Sequence, residues 1–205
     1  MIEDDDPDGD WTAPGVFRCA PGVHRIPLPL PNDGLRAVNV YAVLDGDGWT
    51  LVDSGWALSE AKQLLAAALG ELGGGLGDVR RFLVTHVHRD HYTQAVTLRR
   101  EFGMRVALGR GEQPALEIIN SAHRPGGPAH RAGLHRAGAH GLLRRLDAEL
   151  PPLDDRSVWA FPDEWIEDGA DIEFGTGENR RRLHAVATPG HTRGHLVFAL
   201  SLIHI

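Results

Sequence analysis

The chain has 205 residues, which suits one medium-sized domain with its own hydrophobic core. It contains 21 lysines and arginines against 28 aspartates and glutamates, and the net charge of −7 makes nucleic acid an unfavourable partner. The single cysteine excludes an intrachain disulfide and a cysteine-pair metal site, and no apolar stretch approaches the roughly 18–20 residues that span a bilayer.

The amino-terminal segment is acidic. Residues 1–6 include one glutamate and three aspartates, where a secretory signal would be basic and then apolar. We therefore expect a cytoplasmic protein. Residues 1–15 also contain proline and glycine, and we predict that they form a disordered tail in front of a domain that extends over 16–199.

The next part of the sequence predicts a β-hairpin and a helix. Strand-like residues extend from Val23 to Leu44, and a turn at 45–48 leads into a second strand at 49–52. Apolar residues then recur at helical spacing over 59–72, and the three glycines that follow end the helix.

A further strand and helix follow. An apolar strand is predicted at 81–85, a helix extends from His91 to Phe102, and a short strand is predicted at 106–108. This alternation of strand and helix predicts an α/β fold that is built in layers.

Residues 110–168 interrupt the alternation. They show a helical pattern around 133–150 and no strand pattern, and we predict a helical insertion over the scaffold. Near its end, the aromatic residues Trp159, Phe161 and Trp165 either anchor the insertion by hydrophobic contact or line a substrate pocket. We expect the anchoring role.

Strand patterns return at 171–174, 183–187 and 196–200, and the chain ends directly after the last of them. Residues 200–205 resemble a translated transposon end, and we expect that they are foreign and that the native protein continues. The alternative is a genuine short carboxyl terminus, which would leave the sheet unfinished.

Metal-binding residue types cluster after the strand at 81–85. His86 and His88 are two residues apart, so both project to one side as the strand ends, and Asp90 and His91 follow at once. Imidazole nitrogens and carboxylate oxygens suit zinc, and four such groups in six residues can hold parts of two adjacent metal sites. The alternative is a solvated polar turn between a strand and a helix.

Three segments resemble motifs of one family. The string THVHRDH at 85–91 resembles the first metal-binding motif of the metallo-β-lactamase-fold hydrolases, TPGHTRGH at 188–195 resembles their TPGHTxGH segment, and LVDSG at 51–55 resembles their LVDTG turn. The resemblance covers about residues 20–200. It implies an αββα sandwich, and the pair Asp90-His91 is similar to the glyoxalase II-like, lactonase-like and RNA-processing branches, of which we expect the first.

The resemblance also implies a set of metal ligands. His86, His88 and His191 would hold the first metal, whereas Asp90 and His91 would begin the second site. Two zinc ions are expected in the complete protein, with iron or manganese as alternatives. Asp90 would also orient the attacking water, and it is the predicted catalytic residue.

Two further residues lie close to these motifs. The resemblance implies that Asp53 orients a ligand or an adjacent loop from outside the metal shell, although a cap on its own turn is the alternative. His195 is expected to be a structural polar residue rather than a ligand. Because the family draws the remaining ligands of the second metal from later in the chain, we expect the second half of the sandwich to be incomplete and the fragment itself to be inactive.

Four other histidines, His123, His130, His135 and His140, are spaced irregularly in the insertion. We expect a solvated helical face there, and a further metal site is the alternative.

The implied activity is hydrolysis of a small acyl or thioester-type compound, with zinc lowering the pKa of a bound water. The expected partner is thus a small-molecule substrate, with no nucleic acid and no membrane, and the oligomeric state is left open. Three alternatives remain, which are an RNA-processing nuclease of the same fold, a mononuclear iron persulfide dioxygenase and a non-catalytic zinc-binding module.

Overall fold

The computed structural model describes residues 2–3, 10–31, 34–121, 128–149, 156–175 and 180–200. The larger sheet has eight strands in sequence order, β1 (Ile2–Glu3), β2 (Phe17–Ala20), β3 (Val23–Pro29), β4 (Ala37–Asp45), β5 (Gly48–Val52), β6 (Val79–Val84), β7 (Arg105–Gly109) and β8 (Glu164–Ile166). The smaller sheet has β9 (Asp171–Phe174), β10 (Arg181–Ala187) and β11 (Leu196–Leu200), with β10 in the centre. The helices are α1 (Ser59–Glu71), α2 (Arg89–Phe102), α3 (Gln113–Asn120), α4 (Pro128–Arg136) and α5 (His140–Glu149).

Strand direction brings several loops to one edge of the larger sheet. Adjacent strands from β2 to β5 pair with one another in antiparallel fashion, whereas β1 pairs in parallel with β2, and β5, β6, β7 and β8 run parallel to one another. Parallel neighbours need a crossover, and α1 and α2 supply the crossovers that follow β5 and β6. The carboxyl ends of β5, β6 and β7 therefore meet at one edge, where α/β proteins bind their ligands.

Two hydrophobic cores lie on opposite faces of the larger sheet. In β6, Phe82 and Val84 belong to the core shared with α1 and α2, whereas Leu83 belongs to the core shared with the smaller sheet. Leu183 of β10 and Leu196 of β11 fill this second core from the other side. The described residues thus form helix, sheet and sheet layers, and the predicted α/β sandwich is confirmed.

The main predicted elements lie where the sequence patterns place them. The helix predicted over 59–72 is α1, and Gly73 follows it with a φ of 82°. The turn at 45–48 joins β4 and β5, with Gly46 at a φ of 67°. The helix predicted to end at Phe102 is α2.

The structure corrects the insertion predicted at 110–168. Strand β8 lies inside that range and pairs in parallel with β7, so it belongs to the larger sheet. Leu116 of α3 is also fully buried in the main core. A strand of three residues is too short to show an alternating pattern, which explains why the sequence did not reveal it.

The aromatic residues near the end of that range contact the scaffold. The Trp159 ring stacks on Tyr92 with the ring centroids 6.5 Å apart, and the Tyr92 hydroxyl donates to the Ala160 carbonyl oxygen at 2.7 Å. Trp165 also packs against the main core, whereas Phe161 is exposed. The contacts of Trp159 and Trp165 agree with the anchoring role.

The two predicted tails are described only in part. Ile2–Glu3 pairs in parallel with β2, and the Trp11 carbonyl accepts a hydrogen bond of 2.8 Å from Nη1 of Arg25. Residues 1, 4–9 and 201–205 lie outside the described residues, as does His123. The disorder of 1–15 and the foreign origin of 200–205 stay predictions. None of the helices in the described ranges is both long and apolar enough to cross a bilayer.

Because Leu183 is 2% exposed and fills the core between the sheets, Leu183→Ala should lower the free energy of unfolding by about 2–5 kcal/mol. The matched control is Val186→Ala on the same strand, where the side chain is 37% exposed and we expect a loss of about 1 kcal/mol or less. Denaturant unfolding measures both values. Equal losses in the two variants would contradict the assignment of the inner and outer faces of β10.

Candidate metal site

Polar side chains from both sheets meet at the carboxyl edge of the larger sheet. Asp53 directly follows β5, His86 and His88 follow β6, and Glu112 ends the short 3-10 turn after β7. His191 comes from the smaller sheet, on the loop 188–195 between β10 and β11. Each of these residues lies where a strand has just ended, which is how one small region receives side chains from distant parts of the sequence.

Three of the predicted ligands form a compact group. Ligand atoms of His86, His88 and His191 all lie within 4.8 Å of one another. The ring centroid of His86 is 4.6 Å from that of His88 and 4.8 Å from that of His191. His86 is 3% exposed, whereas His88 and His191 are open to solvent. The group is therefore buried on its inner side and accessible on its outer side.

The electrostatics of this group favour neutral imidazole rings at His86 and His88. Burial, reinforced by the neighbouring histidines, lowers the pKa of His86 to about 2. Burial is also the main reason why the pKa of His88 is lowered, and His191 adds to it while Asp90 opposes it. Neutral imidazole is the form that binds a metal, so these two rings are ready to act as ligands near neutral pH.

A chain of hydrogen bonds sets the tautomer of His86. Thr85 Oγ1 lies 2.9 and 3.0 Å from the two carboxylate oxygens of Asp53, so the hydroxyl proton is donated to the carboxylate. Oγ1 then accepts a hydrogen bond of 2.9 Å from Nδ1 of His86. Nε2 of His86 keeps its lone pair, and this buried atom has no hydrogen-bond partner among the described residues. A metal ion would satisfy it.

Asp53 connects the end of β6 with the start of α2. Its carboxylate accepts hydrogen bonds of 2.8 Å from the backbone nitrogen of Thr85 and from Nδ1 of His91. Its backbone has a φ of 61°, a conformation that aspartate and asparagine tolerate better than most residues. Because these partners belong to other elements, the geometry fits an orienting acceptor better than a cap on its own turn.

His91 lies between two carboxylates. Nδ1 donates to Asp53, and Nε2 is 3.3 Å from Oδ2 of Asp90. Burial alone would lower the pKa of His91, but Asp53 and Asp90 outweigh burial and raise this pKa to about 9. Burial would likewise raise the pKa of Asp90, yet the hydrogen bond and charge of His91 lower it to about 2. In the metal-free protein, this pair is therefore a protonated imidazole beside a carboxylate.

The donor atoms fit the metal that the sequence predicts. In the metal-free protein, the 3.3 Å between His91 Nε2 and Asp90 Oδ2 is that of an ion pair, and two donors bound at about 2.0–2.1 Å to a tetrahedral zinc ion would be a similar distance apart. The three-histidine group could supply nitrogen donors for one ion, and the Asp90 and His91 pair could supply two donors for a neighbouring ion once the imidazole has lost its proton. The structure therefore brings all five predicted ligands to one place.

The remaining histidines differ in their relation to this group. His195 lies beside it, with its ring centroid 5.1 Å from that of His86, and its Nδ1 is 2.8 Å from Oγ1 of Thr188. It is outside the three-residue ligand group. His135 and His140 have ring centroids 4.8 Å apart, but no group of three potential ligands includes them among the described residues.

Glu112 is the buried residue near the site that the sequence analysis missed. It is 1% exposed, and its Oε1 accepts a hydrogen bond of 2.8 Å from the backbone nitrogen of Gly194, on the His191 loop. No motif marks this glutamate. The only available signal was its position, since it follows the third parallel strand just as Asp53 follows the first and His86 the second.

Comparison with known proteins identifies relatives of this chain. A family model described as the metallo-beta-lactamase superfamily matches residues 33–201. A metallo-beta-lactamase family protein from Thermus thermophilus has 28% sequence identity and a TM-score of 0.63, and the match covers 88% of this chain and 56% of that one. Among curated proteins, none is similar enough in sequence to count as a match.

More distant structures share the fold. A subclass B3 metallo-beta-lactamase of Bradyrhizobium japonicum has 21% identity and a TM-score of 0.61 over 95% of this chain and 60% of that one. A beta-lactamase domain protein from Burkholderia ambifaria has 23% identity and a TM-score of 0.62 over 90% and 52%. The chain thus spans less than two-thirds of the length of each of these three proteins.

The pKa of His91 gives a test of the Asp53 contact in metal-free protein. Asp53→Asn should lower this pKa from about 9 towards the ordinary value of 6.5, because an amide replaces the carboxylate that stabilises the imidazolium. Because the pKa of His91 is higher in the folded protein than in the unfolded chain, protonation of this ring contributes to the free energy of unfolding. The contribution is fully present below pH 6.5 and is lost as the pH rises through about 9. NMR titration of the ring, with a chelator present, measures the shift.

Asp171→Asn is the matched control for this titration. Asp171 also contacts a histidine, since it lies 2.8 Å from Nδ1 of His184, but that exposed pair belongs to the smaller sheet. The control should leave the pKa of His91 unchanged. A His91 ring that still titrates near pH 9 in Asp53→Asn would show that Asp53 does not raise its pKa.

Proposed function

Because this chain belongs to the metallo-beta-lactamase superfamily, we propose that it is a metal-dependent hydrolase with zinc as its metal. The observation that supports this proposal most directly is the convergence of His86, His88 and His191, with Nε2 of His86 buried and without a partner in the described part of the chain. A metal bound there would act as a Lewis acid that activates a water molecule and polarises a substrate oxygen.

The proposed roles of the residues follow from their positions. His86, His88 and His191 bind the first zinc, and Asp90 and His91 contribute to a second, weaker site because only these two supply donors to it among the described residues. Asp90 orients the attacking water as well as contributing to the second metal site. Asp53 holds His91 through Nδ1 and His86 through Thr85, so it orients both rings.

The proposed substrate is a small acyl compound, with a thioester as the first choice. The motif Asp90-His91 is similar to the glyoxalase II-like, lactonase-like and RNA-processing branches, and the net charge of −7 argues against a polyanionic substrate such as RNA. The exposed outer side of the three-histidine group is compatible with access by a small molecule from solvent.

One observation favours a second candidate, a mononuclear iron dioxygenase. In the described part of the chain, only the first site has three protein ligands. Iron content and oxygen consumption distinguish this candidate from a zinc hydrolase.

Removal of one ligand tests the proposed zinc site. His88→Ala should weaken zinc binding by more than about a hundredfold, because loss of a direct ligand costs more than the loss of an outer contact. Competition with a chromophoric chelator measures the affinity. The control is His184→Ala, which removes an exposed histidine that pairs with Asp171. If His88→Ala retains as much zinc as the parent protein, the assignment is wrong.

Turnover tests the role of Asp90. Asp90→Asn keeps the shape of the side chain but removes its charge, and we expect turnover to fall by about 10²–10⁴-fold with the fold retained. The assay uses a thioester, a lactone, a β-lactam and a phosphodiester. Asp47→Asn, which changes a highly exposed aspartate paired with Arg80, is the control and should keep parental turnover.

The pattern of activity separates the alternatives. Thioester or lactone hydrolysis that Asp90→Asn abolishes supports the proposed function, whereas hydrolysis of the phosphodiester alone indicates a nuclease. A fully zinc-loaded protein without turnover on any of the four substrates would be a binding module. Near-parental turnover by Asp90→Asn would contradict the role given to this carboxylate.

A further inference from the structure

A buried carboxylate lies beside the metal site without belonging to the ligand group. Glu112 is 1% exposed and is placed by the 3-10 turn Arg110–Glu112 that follows β7. Its Oε1 accepts a hydrogen bond of 2.8 Å from the backbone nitrogen of Gly194 and another from the hydroxyl of Thr192. Both donors belong to the loop 188–195, the segment that also contains His191.

The backbone of this loop is in direct contact with the turn after β7. A Cβ atom at Gly194 would lie 2.3 Å from the backbone nitrogen of Glu112, and one at Gly111 would lie 2.6 Å from the Cα of Gly194. A Cβ at Gly109 would lie 2.5 Å from the carbonyl oxygen of Gly194. Glycine at these three positions therefore permits a close approach between the loop and the turn, which a side chain would prevent. This approach brings the Glu112 carboxylate within hydrogen-bonding distance of the loop.

The third histidine needs such support more than the other two. His86 and His88 lie between β6 and α2, which belong to the same core, whereas His191 is exposed on a loop from the smaller sheet. At its far end, this loop is held by a hydrogen bond of 2.9 Å from the backbone nitrogen of Leu196 to the carbonyl oxygen of Thr85. Among the described residues, Glu112 supplies the side-chain acceptor for the middle of the loop, next to His191.

The chemistry of Glu112 suits a holding role rather than ligation. It is outside the group of residues whose ligand atoms lie within 4.8 Å of one another. Both identified donors bind Oε1 and come from the His191 loop, whereas Oε2 is buried without a hydrogen-bond partner among the described residues. Burial of a carboxylate is costly unless donors compensate, and the two loop contacts offset part of that cost. The loop and the carboxylate therefore stabilise each other.

We propose that Glu112 is a positioning residue for His191: by binding Thr192 and Gly194, it holds the loop 188–195 where the third imidazole can share a metal with His86 and His88. The inference rests on the proposed function, since it assumes that these three histidines bind a metal. It adds a residue from outside the recognised motifs to the set that determines metal affinity.

The test measures zinc affinity in variants of Glu112. Glu112→Ala removes the acceptor, and we expect zinc binding to weaken by about 10–100-fold, the usual cost of losing a contact that orients a ligand. Glu112→Gln keeps an oxygen that accepts from the same two donors, and it should restore affinity to within about threefold of the parent. The control is Glu117→Ala on α3, an exposed glutamate that contacts Gln113 and should leave affinity unchanged.

A spectroscopic measurement separates positioning from a general loss of structure. With Co²⁺ in place of zinc, the visible absorption of Glu112→Ala should shift towards that of His191→Ala, while Glu112→Gln and Glu117→Ala should match the parent protein. If Glu112→Ala does not fold, Thr192→Val decides the question, because it removes one donor from a half-buried position on the loop. We expect Thr192→Val to weaken zinc binding by about threefold to tenfold.

The outcomes distinguish the two proposals. If the parent protein does not bind zinc, or if His191→Ala binds it as tightly as the parent, the proposed metal site is wrong and the inference fails with it. If the parent binds zinc and His191→Ala does not, but Glu112→Ala and Thr192→Val keep parental affinity and Co²⁺ spectra, only the positioning role is overturned.

Discussion

The carboxylate of Asp53 is the group on which the arrangement of the site depends. It accepts hydrogen bonds from the backbone and side chain of Thr85 and from Nδ1 of His91. One buried group thereby connects the ends of two parallel strands with the first turn of α2. The orientation of His86 follows through Thr85, and that of His91 follows directly. These bonds also offset the cost of burying the charge, so the same contacts stabilise the fold and orient the two histidine rings.

A second constraint is that the site draws on both sheets. His191 reaches the other histidines only if the smaller sheet is packed correctly on the larger one, and residues such as Leu83 and Leu183 fill the core between them. Close contact between the loop 188–195 and the turn after β7 completes this alignment, with Gly194 at the point of nearest approach. The arrangement of the three histidines therefore depends on the packing of the two sheets.

Local patterns predicted the parts of the fold that depend on neighbouring residues. The periodicity of 59–72 predicted α1, and the turn residues at 45–48 predicted the hairpin of β4 and β5. Strand β8 was missed, because three residues at a sheet edge show no period and are defined only by their pairing with β7. Glu112 was missed for a similar reason, since its partners, Thr192 and Gly194, lie far away in the sequence.

The sequence by itself determined which side chains are available as ligands and the local order of His86, His88, Asp90 and His91, because those residues are neighbours at the end of one strand. Resemblance to a known motif added His191 to these predicted ligands. Only the tertiary structure decided that Nε2 of His86 has no hydrogen-bond partner in the described part of the chain, that His91 lies between two carboxylates, and that Glu112 accepts a hydrogen bond from the loop of His191. Protonation and tautomer depend on burial and on partners from distant segments, and no local pattern encodes either of these.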